Sequence, residues 1–87
     1  MKIDIDKLKK RLIYRSTYRG TREMDKLLGS FVQNSIEKLD SLQLYELEKF
    51  LSVDDDTLYK LYNNQIETIK NINKDLIQLY KLHKYKK

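Results

Sequence analysis

The sequence contains no cysteine, proline, tryptophan or alanine, and it has one histidine and two glycines. The lack of cysteine excludes disulfides, thiolate zinc sites and iron–sulfur clusters. A single histidine, His83, excludes most histidine-based metal sites and catalytic triads. Because proline and glycine are the residues that most disfavour a helix interior, their scarcity leaves most of the chain free to be helical.

Long apolar runs are also absent, so no segment reaches the roughly 18 residues that a membrane-spanning helix requires. At 87 residues the chain has room for one core, and we expect a single domain over residues 1–87. Residues 1–20 are too polar for a secretory signal. Asp4 and Asp6 lie in the basic N-terminal stretch and argue against a cleavable mitochondrial presequence in this chain.

Apolar residues recur at helical spacing throughout the sequence, with no strand-like alternation. Five such stripes are separated at Gly20, at Leu39–Asp40, at residues 54–56 and at Asn63–Asn64. The fifth stripe predicts one long helix from Ile66 to Tyr80, followed by a basic tail, residues 81–87, that we expect to be frayed. The fold class is therefore predicted to be all-α, a compact single-domain bundle of five helices.

Two helix starts carry capping signals. Asp4 or Asp6 can cap the first helix, and both carboxylates suit the positive end of its dipole. Asp40 and Gln43 have the spacing of a capping box, with aspartate in place of the usual serine or threonine. These signals predict where two of the helices begin.

The net charge of +5 suggests a polyanionic partner, but its distribution does not. Residues 1–30 carry +5, residues 31–67 carry −5 and residues 68–87 carry +5. A negative middle third is poorly suited to wrapping a nucleic acid and fits a protein surface with patches of both signs.

The four arginines lie within twelve residues, whereas every other cation is a lysine: Arg11, Arg15, Arg19 and Arg22. Because the guanidinium fork binds carboxylates and phosphates in a bidentate manner, this cluster indicates a binding surface. The alternative is that the arginines cluster by chance or merely support a helix end. Tyr14 and Tyr18 are interleaved with them, a mixture typical of protein interfaces and of single-strand nucleic-acid sites. The alternative for each tyrosine is a ring packed on the bundle with only its hydroxyl in water.

Catalytic and metal-binding patterns are sparse. Glu23 and Asp25 are two positions apart, so on a helix they point about 200° from each other and cannot form an acid–base pair. The run of aspartates at residues 54–56 lacks the glycine of a calcium loop, since Tyr59 stands at its sixth position, and a helix start is the better interpretation. His83 has no partner nearby in the sequence. An enzyme is therefore not expected.

The run from Arg19 to Asp25 joins the first two predicted helices. Gly20 stands at the junction, where a missing side chain permits positive φ or lets a partner's backbone approach. Glu23 falls in the first turn of the second helix, where the dipole favours it, and Met24 belongs to the core stripe. The result is a corner of mixed charge, suited to docking another protein.

This run resembles the succinate dehydrogenase assembly factor 2 family, the FAD assembly factors or flavinators, whose bacterial members show Arg-Gly-x-x-Glu-x-Asp at the start of the second helix. The resemblance covers nearly the whole chain. Residues 11–14 precede the motif at the family's distance, and residues 50–58 match its Leu-Leu-x-x-x-Asp-x-Asp-Leu stretch, with Asp56 where many members have proline. Leu61 stands where many members have tryptophan, and we interpret it as a core substitution.

The resemblance implies a chaperone-like role. The protein would bind the flavoprotein subunit of succinate dehydrogenase, or in some bacteria of fumarate reductase, and promote covalent attachment of FAD to a histidine of that subunit. It implies no catalytic residues and no tightly bound cofactor in this chain, since FAD belongs to the partner. We expect a monomer when free, no nucleic-acid partner, and a cytoplasmic location in a bacterium or the mitochondrial matrix in a eukaryote.

Carried over by position, the resemblance implies a partner-binding surface made of Arg15, Tyr18, Arg19, Gly20, Arg22, Glu23 and Asp25. Asp54 and Asp55 are secondary candidates, although their simpler role is that of helix caps. Two alternatives stay open: a small basic module that binds nucleic acid through the arginine cluster and Tyr14, and an antitoxin-like regulator of another partner.

Overall fold

The computed structural model describes residues 4–84, and all regular structure in that range is helical. The elements are α1 (Ile5–Thr17), α2 (Arg22–Ser35), a 3₁₀ turn (Ile36–Lys38), α3 (Ser41–Leu51), α4 (Asp55–Tyr62) and α5 (Lys74–Leu82). The radius of gyration is 12.3 Å, close to the roughly 12 Å expected of a compact domain of this length. The prediction of a compact all-α fold with five helices is confirmed.

Each α-helix begins at a side-chain cap, because its first N–H groups have no partner inside the helix. The capping residues are Asp4, Thr21, Asp40, Asp54 and Asn73. Asp40 and Gln43 form the predicted capping box, with both hydrogen bonds at 2.9 Å. The first helix is capped by Asp4, and Asp6 lies in its first turn.

The core is one cluster of buried apolar side chains from all five helices, most of them leucines, and it includes three aromatic rings. Phe50 and Tyr80 meet edge to face with ring centroids 4.9 Å apart, and Phe31 lies 5.3 Å from Tyr80. Tyr80 is fully buried, and its hydroxyl donates to the Leu58 carbonyl at 2.9 Å, which satisfies the polar end of the ring. Leu61 is also fully buried, as its interpretation as a core residue predicts.

The prediction of a long final helix from Ile66 is wrong, because α5 begins at Lys74 and the chain from residue 63 to residue 73 forms turns. Asn64 and Asn71 adopt positive φ, at 61° and 67°. Asparagine enters the left-handed region more readily than other side chains, and one such residue interrupts a helix. The predicted turn at residues 63–64 is therefore confirmed, and a second turn follows it.

The segment between α4 and α5 packs on the core without being helical. Ile66, Ile69 and Ile72 are partly buried against the core cluster, so their three-residue spacing reflects burial and not a helix. Lys81 on α5 donates from Nζ to the carbonyls of Ile66 (3.4 Å) and Glu67 (3.1 Å). In a helix these two carbonyls would accept hydrogen bonds from backbone N–H groups. Here the Lys81 ammonium is their donor instead.

In the predicted basic tail, residues 81 and 82 complete α5 and His83 is its C-cap. The His83 ring bonds to Ser30 on α2, with 2.8 Å between Nε2 and Oγ, and its carbonyl accepts a hydrogen bond from the Tyr62 hydroxyl at 2.5 Å. Residues 85–87 lie outside the described residues, and fraying of the tail stays a prediction. Among residues 4–84, no helix has both the length and the apolar character needed to cross a bilayer.

Candidate partner-binding site at the corner between α1 and α2

The corner between α1 and α2 turns at Gly20, whose φ is +133°. This confirms that a positive φ is used at the junction. A Cβ built at Gly20 would lie 3.7 Å from Asp55 Oδ2, an ordinary contact distance. Glycine is therefore required by the backbone conformation and not by lack of space, since side chains rarely adopt this φ.

The side chain of Arg19, directly before the glycine, forms hydrogen bonds to the connection between α3 and α4. Its Nε donates to Asp55 Oδ1 at 2.7 Å, and Nη1 and Nη2 donate to the carbonyls of Leu51 (2.5 Å) and Val53 (2.7 Å). Its backbone N–H donates to Asp25 Oδ1 at 2.5 Å. Only 11% of the side chain is exposed. We call this set of bonds the Arg19 clamp: it joins the corner to the start of α4.

The clamp gives three candidate site residues a role inside the protein. Arg19 and Asp25 were expected to contact a partner, but their polar groups bind within the chain. Asp55 is the counter-ion of Arg19, whereas the cap of α4 is Asp54. Asp54 accepts hydrogen bonds from the Thr57 hydroxyl (2.7 Å) and the Thr57 N–H (3.0 Å). Both bonds lower the pKa of Asp54, and the bond from the hydroxyl has the larger effect.

The outer face of the corner carries the remaining candidates. Arg22 and Glu23 occupy the first two positions of α2, are exposed, and make no ion pair within residues 4–84. Tyr18 is 70% exposed and Tyr14 65%, with their ring centroids 4.7 Å apart. The alternative in which these tyrosines pack on the bundle is thus wrong for both. We call Arg15, Tyr18, Gly20, Arg22 and Glu23 the corner surface.

The arginine cluster is largely paired with carboxylates. Glu48 on α3 accepts from Arg11 Nη2 at 2.5 Å and lies 3.6 Å from Arg15 Nη1, and Asp55 pairs with Arg19. Arg11 and Arg15 remain about half exposed, so their ion pairs are accessible to solvent. Of the four arginines, only Arg22 has no carboxylate partner in the described part of the chain.

An open groove of about 550 Å³ runs between the first turn of α2 and the first turns of α4. Its lining consists of Thr21, Arg22, Glu23, Met24, Asp55, Asp56 and Tyr59. We call it the α2–α4 groove. Sequence reasoning missed Asp56 and Tyr59 as site residues. Both are exposed, whereas Leu58 and Leu61 on the same helix are buried, and this spacing is the signal that assigns them to the outer face.

The aspartate run at residues 54–56 is used inside the protein. Asp54 caps α4, Asp55 binds Arg19, and Asp56 pairs with Lys60 at 3.1 Å one helical turn away. The interpretation of this run as a helix start is confirmed by the Asp54 cap. Within residues 4–84, no cluster of three or more potential metal-ligating side chains is present.

The family model described as "Flavinator of succinate dehydrogenase" matches residues 10–84, a range that contains the corner, the clamp and the groove. The chain belongs to this flavinator family. The resemblance seen in the sequence is therefore confirmed, and one of the motifs that carry it, residues 19–25, forms the corner described above.

Two curated relatives agree with the family assignment, and both are called succinate dehydrogenase assembly factor 2, mitochondrial. The protein of Dictyostelium discoideum is 32% identical over 80 residues, which cover 92% of this chain and 57% of the relative. That of Aspergillus flavus is 32% identical over 72 residues, which cover 83% of this chain and 25% of the relative. This flavinator-family chain thus spans little more than half of one relative and a quarter of the other. No solved structure matches it significantly.

Proposed function

We propose that this protein is an assembly factor that binds the flavoprotein subunit of succinate dehydrogenase and promotes covalent attachment of FAD to a histidine of that subunit. The names of the two relatives and the family description support this role. The flavoprotein subunit of fumarate reductase is a second recipient of the same kind. The observation that carries the proposal in this molecule is the corner surface, where exposed charged and aromatic side chains surround the bare backbone of Gly20.

The proposed mechanism is selective binding of one conformation of the partner. The chain supplies no catalytic group and holds no FAD tightly, and the bond forms within the flavoprotein, where the cofactor lies. A binding protein accelerates such a step only if it binds the competent conformation more tightly than the others. A tenfold preference corresponds to about 1.4 kcal/mol, which a few well-placed contacts can provide.

A rigid corner suits this mechanism because ordering a flexible surface on binding reduces affinity. The Arg19 clamp joins the corner to the α3–α4 connection, so the backbone around Gly20 is held before a partner arrives. Arg22 and Glu23 project from the first turn of α2 with no ion pair to break within the described residues. Both side chains are therefore available to charges on the flavoprotein.

The nucleic-acid alternative is not favoured by this arrangement. Glu48 lies next to Arg11 and Arg15, and Asp55 pairs with Arg19, so two carboxylates offset part of the positive charge that would attract phosphates. Binding to DNA or RNA would weaken steeply as salt rises, which gives a direct test against the protein-partner proposal.

The test of the proposed function is covalent flavin on the flavoprotein subunit, measured by in-gel flavin fluorescence in cells with and without this protein. We expect much less covalent flavin in its absence. Equal flavin attachment in both cells, at equal amounts of flavoprotein, overturns the proposal.

The corner surface is tested by exchanging the charges of its two free ionic residues, Arg22→Glu with Glu23→Arg. The matched control is Lys74→Asp with Asp75→Lys, because Lys74 and Asp75 are the exposed first two residues of α5. We expect the corner exchange to abolish pull-down of the flavoprotein subunit and the control to retain it. If the corner exchange still binds the flavoprotein subunit, the corner surface is not the binding site, even if covalent flavin depends on this protein.

A further inference from the structure

Asp56 and Tyr59, on the α4 side of the α2–α4 groove, have no role in the proposed function described so far. Asp56 is exposed over 75% of its side chain and Tyr59 over 42%. Both stand across the groove from Arg22 and Glu23 of the corner surface, and all four belong to its lining. The groove therefore extends the corner surface onto a second helix.

Carboxylates predominate among the ionisable groups that line the groove. Glu23, Asp55 and Asp56 are acidic, and Arg22 is the single cation of the lining. Asp55 is already paired with the clamp arginine. Glu23 has no ion pair within residues 4–84, so its charge is available at the groove mouth.

Asp56 is also available, although it has a partner within the chain. Its pair with Lys60 is an exposed (i, i+4) pair at 3.1 Å, on the outer side of α4. Pairs of this kind contribute little to stability and are readily exchanged. A second cation entering the groove can therefore replace Lys60 at the Asp56 carboxylate.

Apolar and aromatic side chains belong to the lining of the groove. Met24 is almost fully buried, and Tyr59 is 42% exposed. An arginine side chain has an apolar stem for such a lining and a planar cation that stacks on an aromatic face and forks between carboxylates. Lysine has the stem and the charge, but it lacks the planar fork.

We propose that the α2–α4 groove receives an arginine side chain of the flavoprotein subunit, with its stem on Met24 and Tyr59 and its guanidinium between Glu23 and Asp56. This inference rests on the proposed function, because the partner is the same. Arg22 then pairs with a carboxylate of the flavoprotein subunit that lies next to that arginine. The surface that recognises the flavoprotein thus includes Asp56 and Tyr59.

The experiment is titration calorimetry of the whole chain with the purified flavoprotein subunit, at low and at moderate salt. Asp56→Asn removes the charge and keeps the shape, and we expect roughly tenfold weaker binding at low salt, which corresponds to about 1.4 kcal/mol. The matched control is Asp75→Asn, at the equivalent second position of α5, which we expect to bind as the unmodified protein does.

The stacking contact is tested separately. Tyr59→Phe keeps the ring and Tyr59→Leu removes it, so we expect near-normal binding for the first and several-fold weaker binding for the second. Thermal melts of all variants check that the helices are intact. The arginine site is overturned if Asp56→Asn binds the flavoprotein subunit with normal affinity, or if Tyr59→Leu and Tyr59→Phe bind it with equal affinity. Either result would indicate an apolar or neutral occupant.

The two proposals fail in different ways. If the unmodified protein binds the flavoprotein and the groove variants bind it equally well, the groove assignment fails and the assembly role stands. If the unmodified protein does not bind, the proposed function fails, and the groove assignment falls with it.

Discussion

The guanidinium of Arg19 and the carboxylate of Asp55, 36 positions apart in the chain, are joined by a hydrogen bond of 2.7 Å. This ion pair is largely shielded from water, with 11% and 25% of the two side chains exposed. The same guanidinium also donates to the carbonyls of Leu51 and Val53. One side chain thus holds the family's motif against the beginning of α4, with little of its own surface exposed.

Loss of the clamp should destabilise the fold more than loss of a surface ion pair. Arg19→Ala leaves a partly buried carboxylate and two carbonyls without their donor, and we expect roughly 2–4 kcal/mol lower free energy of unfolding. Arg11→Ala breaks a half-exposed pair with Glu48 and should cost less than about 1 kcal/mol. Urea unfolding of both variants measures the difference. Equal losses would show that the clamp adds no more than a surface ion pair does.

The two glycines should respond oppositely to alanine. Gly20→Ala forces a side chain into φ +133°, and a strained residue of this kind costs roughly 1–3 kcal/mol. Gly29 lies inside α2 with ordinary contact distances at its Cβ, the nearest being 3.6 Å to Thr17 Oγ1. Gly29→Ala should therefore be neutral or stabilise by up to about 1 kcal/mol. Melting temperatures of the two variants show whether each substitution destabilises or stabilises the fold. An unchanged melting temperature for Gly20→Ala would contradict the expected strain.

Acid should weaken the attachment of the end of α5. Burial lowers the pKa of His83 below its ordinary value of 6.5, so the folded protein favours the neutral ring. The contribution of His83 is complete above pH 6.5 and falls as the pH drops through that value, because the unfolded chain then takes up the proton first. The difference in unfolding free energy between the unmodified protein and His83→Gln should shrink from pH 7.5 to pH 5. A difference that does not change with pH would show that the ring titrates as it does in the unfolded chain.

Tyr18 should matter for binding and not for stability. Its ring is 70% exposed, so Tyr18→Ser should change the free energy of unfolding by less than about 0.5 kcal/mol. As an aromatic residue of the corner surface, it should weaken flavoprotein binding roughly tenfold when removed. Leu42 is 77% exposed on α3 and gives the control Leu42→Ser, which should bind normally. Equal binding by both variants removes Tyr18 from the surface.

Local signals in the sequence were sufficient for most of the fold. The spacing of apolar residues indicated five helices, although it began the fifth too early, since an amphipathic helix is specified by residues three and four positions apart. Asp40 with Gln43 and the turn at residues 63–64 were recognisable for the same reason, because their hydrogen bonds or backbone angles involve neighbours in the chain. The motif from Arg19 to Asp25, together with the stretch at residues 50–58 and the chain length, was also sufficient to indicate the family.

Local signals failed where partners lie far apart in the chain. The isoleucines at 66, 69 and 72 have helical spacing, but Asn71 adopts positive φ and Lys81 binds the carbonyls of the loop, so tertiary packing overrides the pattern. Tyr59 joins the groove because α4 is placed beside the start of α2, and no pattern within either helix reports that placement.

The sequence by itself determined the helical class, the starts of α1, α3 and α4, and the position of the corner, since each depends on contacts within a few residues. Only the tertiary structure decided which corner residues face outward. Arg19 and Asp25 have the charges of a binding surface, but they fold inward because the carbonyls of Leu51 and Val53 and the carboxylate of Asp55 come within hydrogen-bonding distance of Arg19. A largely shielded guanidinium with all three acceptors in reach is more stable clamped than exposed, whereas Arg22 and Glu23 remain exposed.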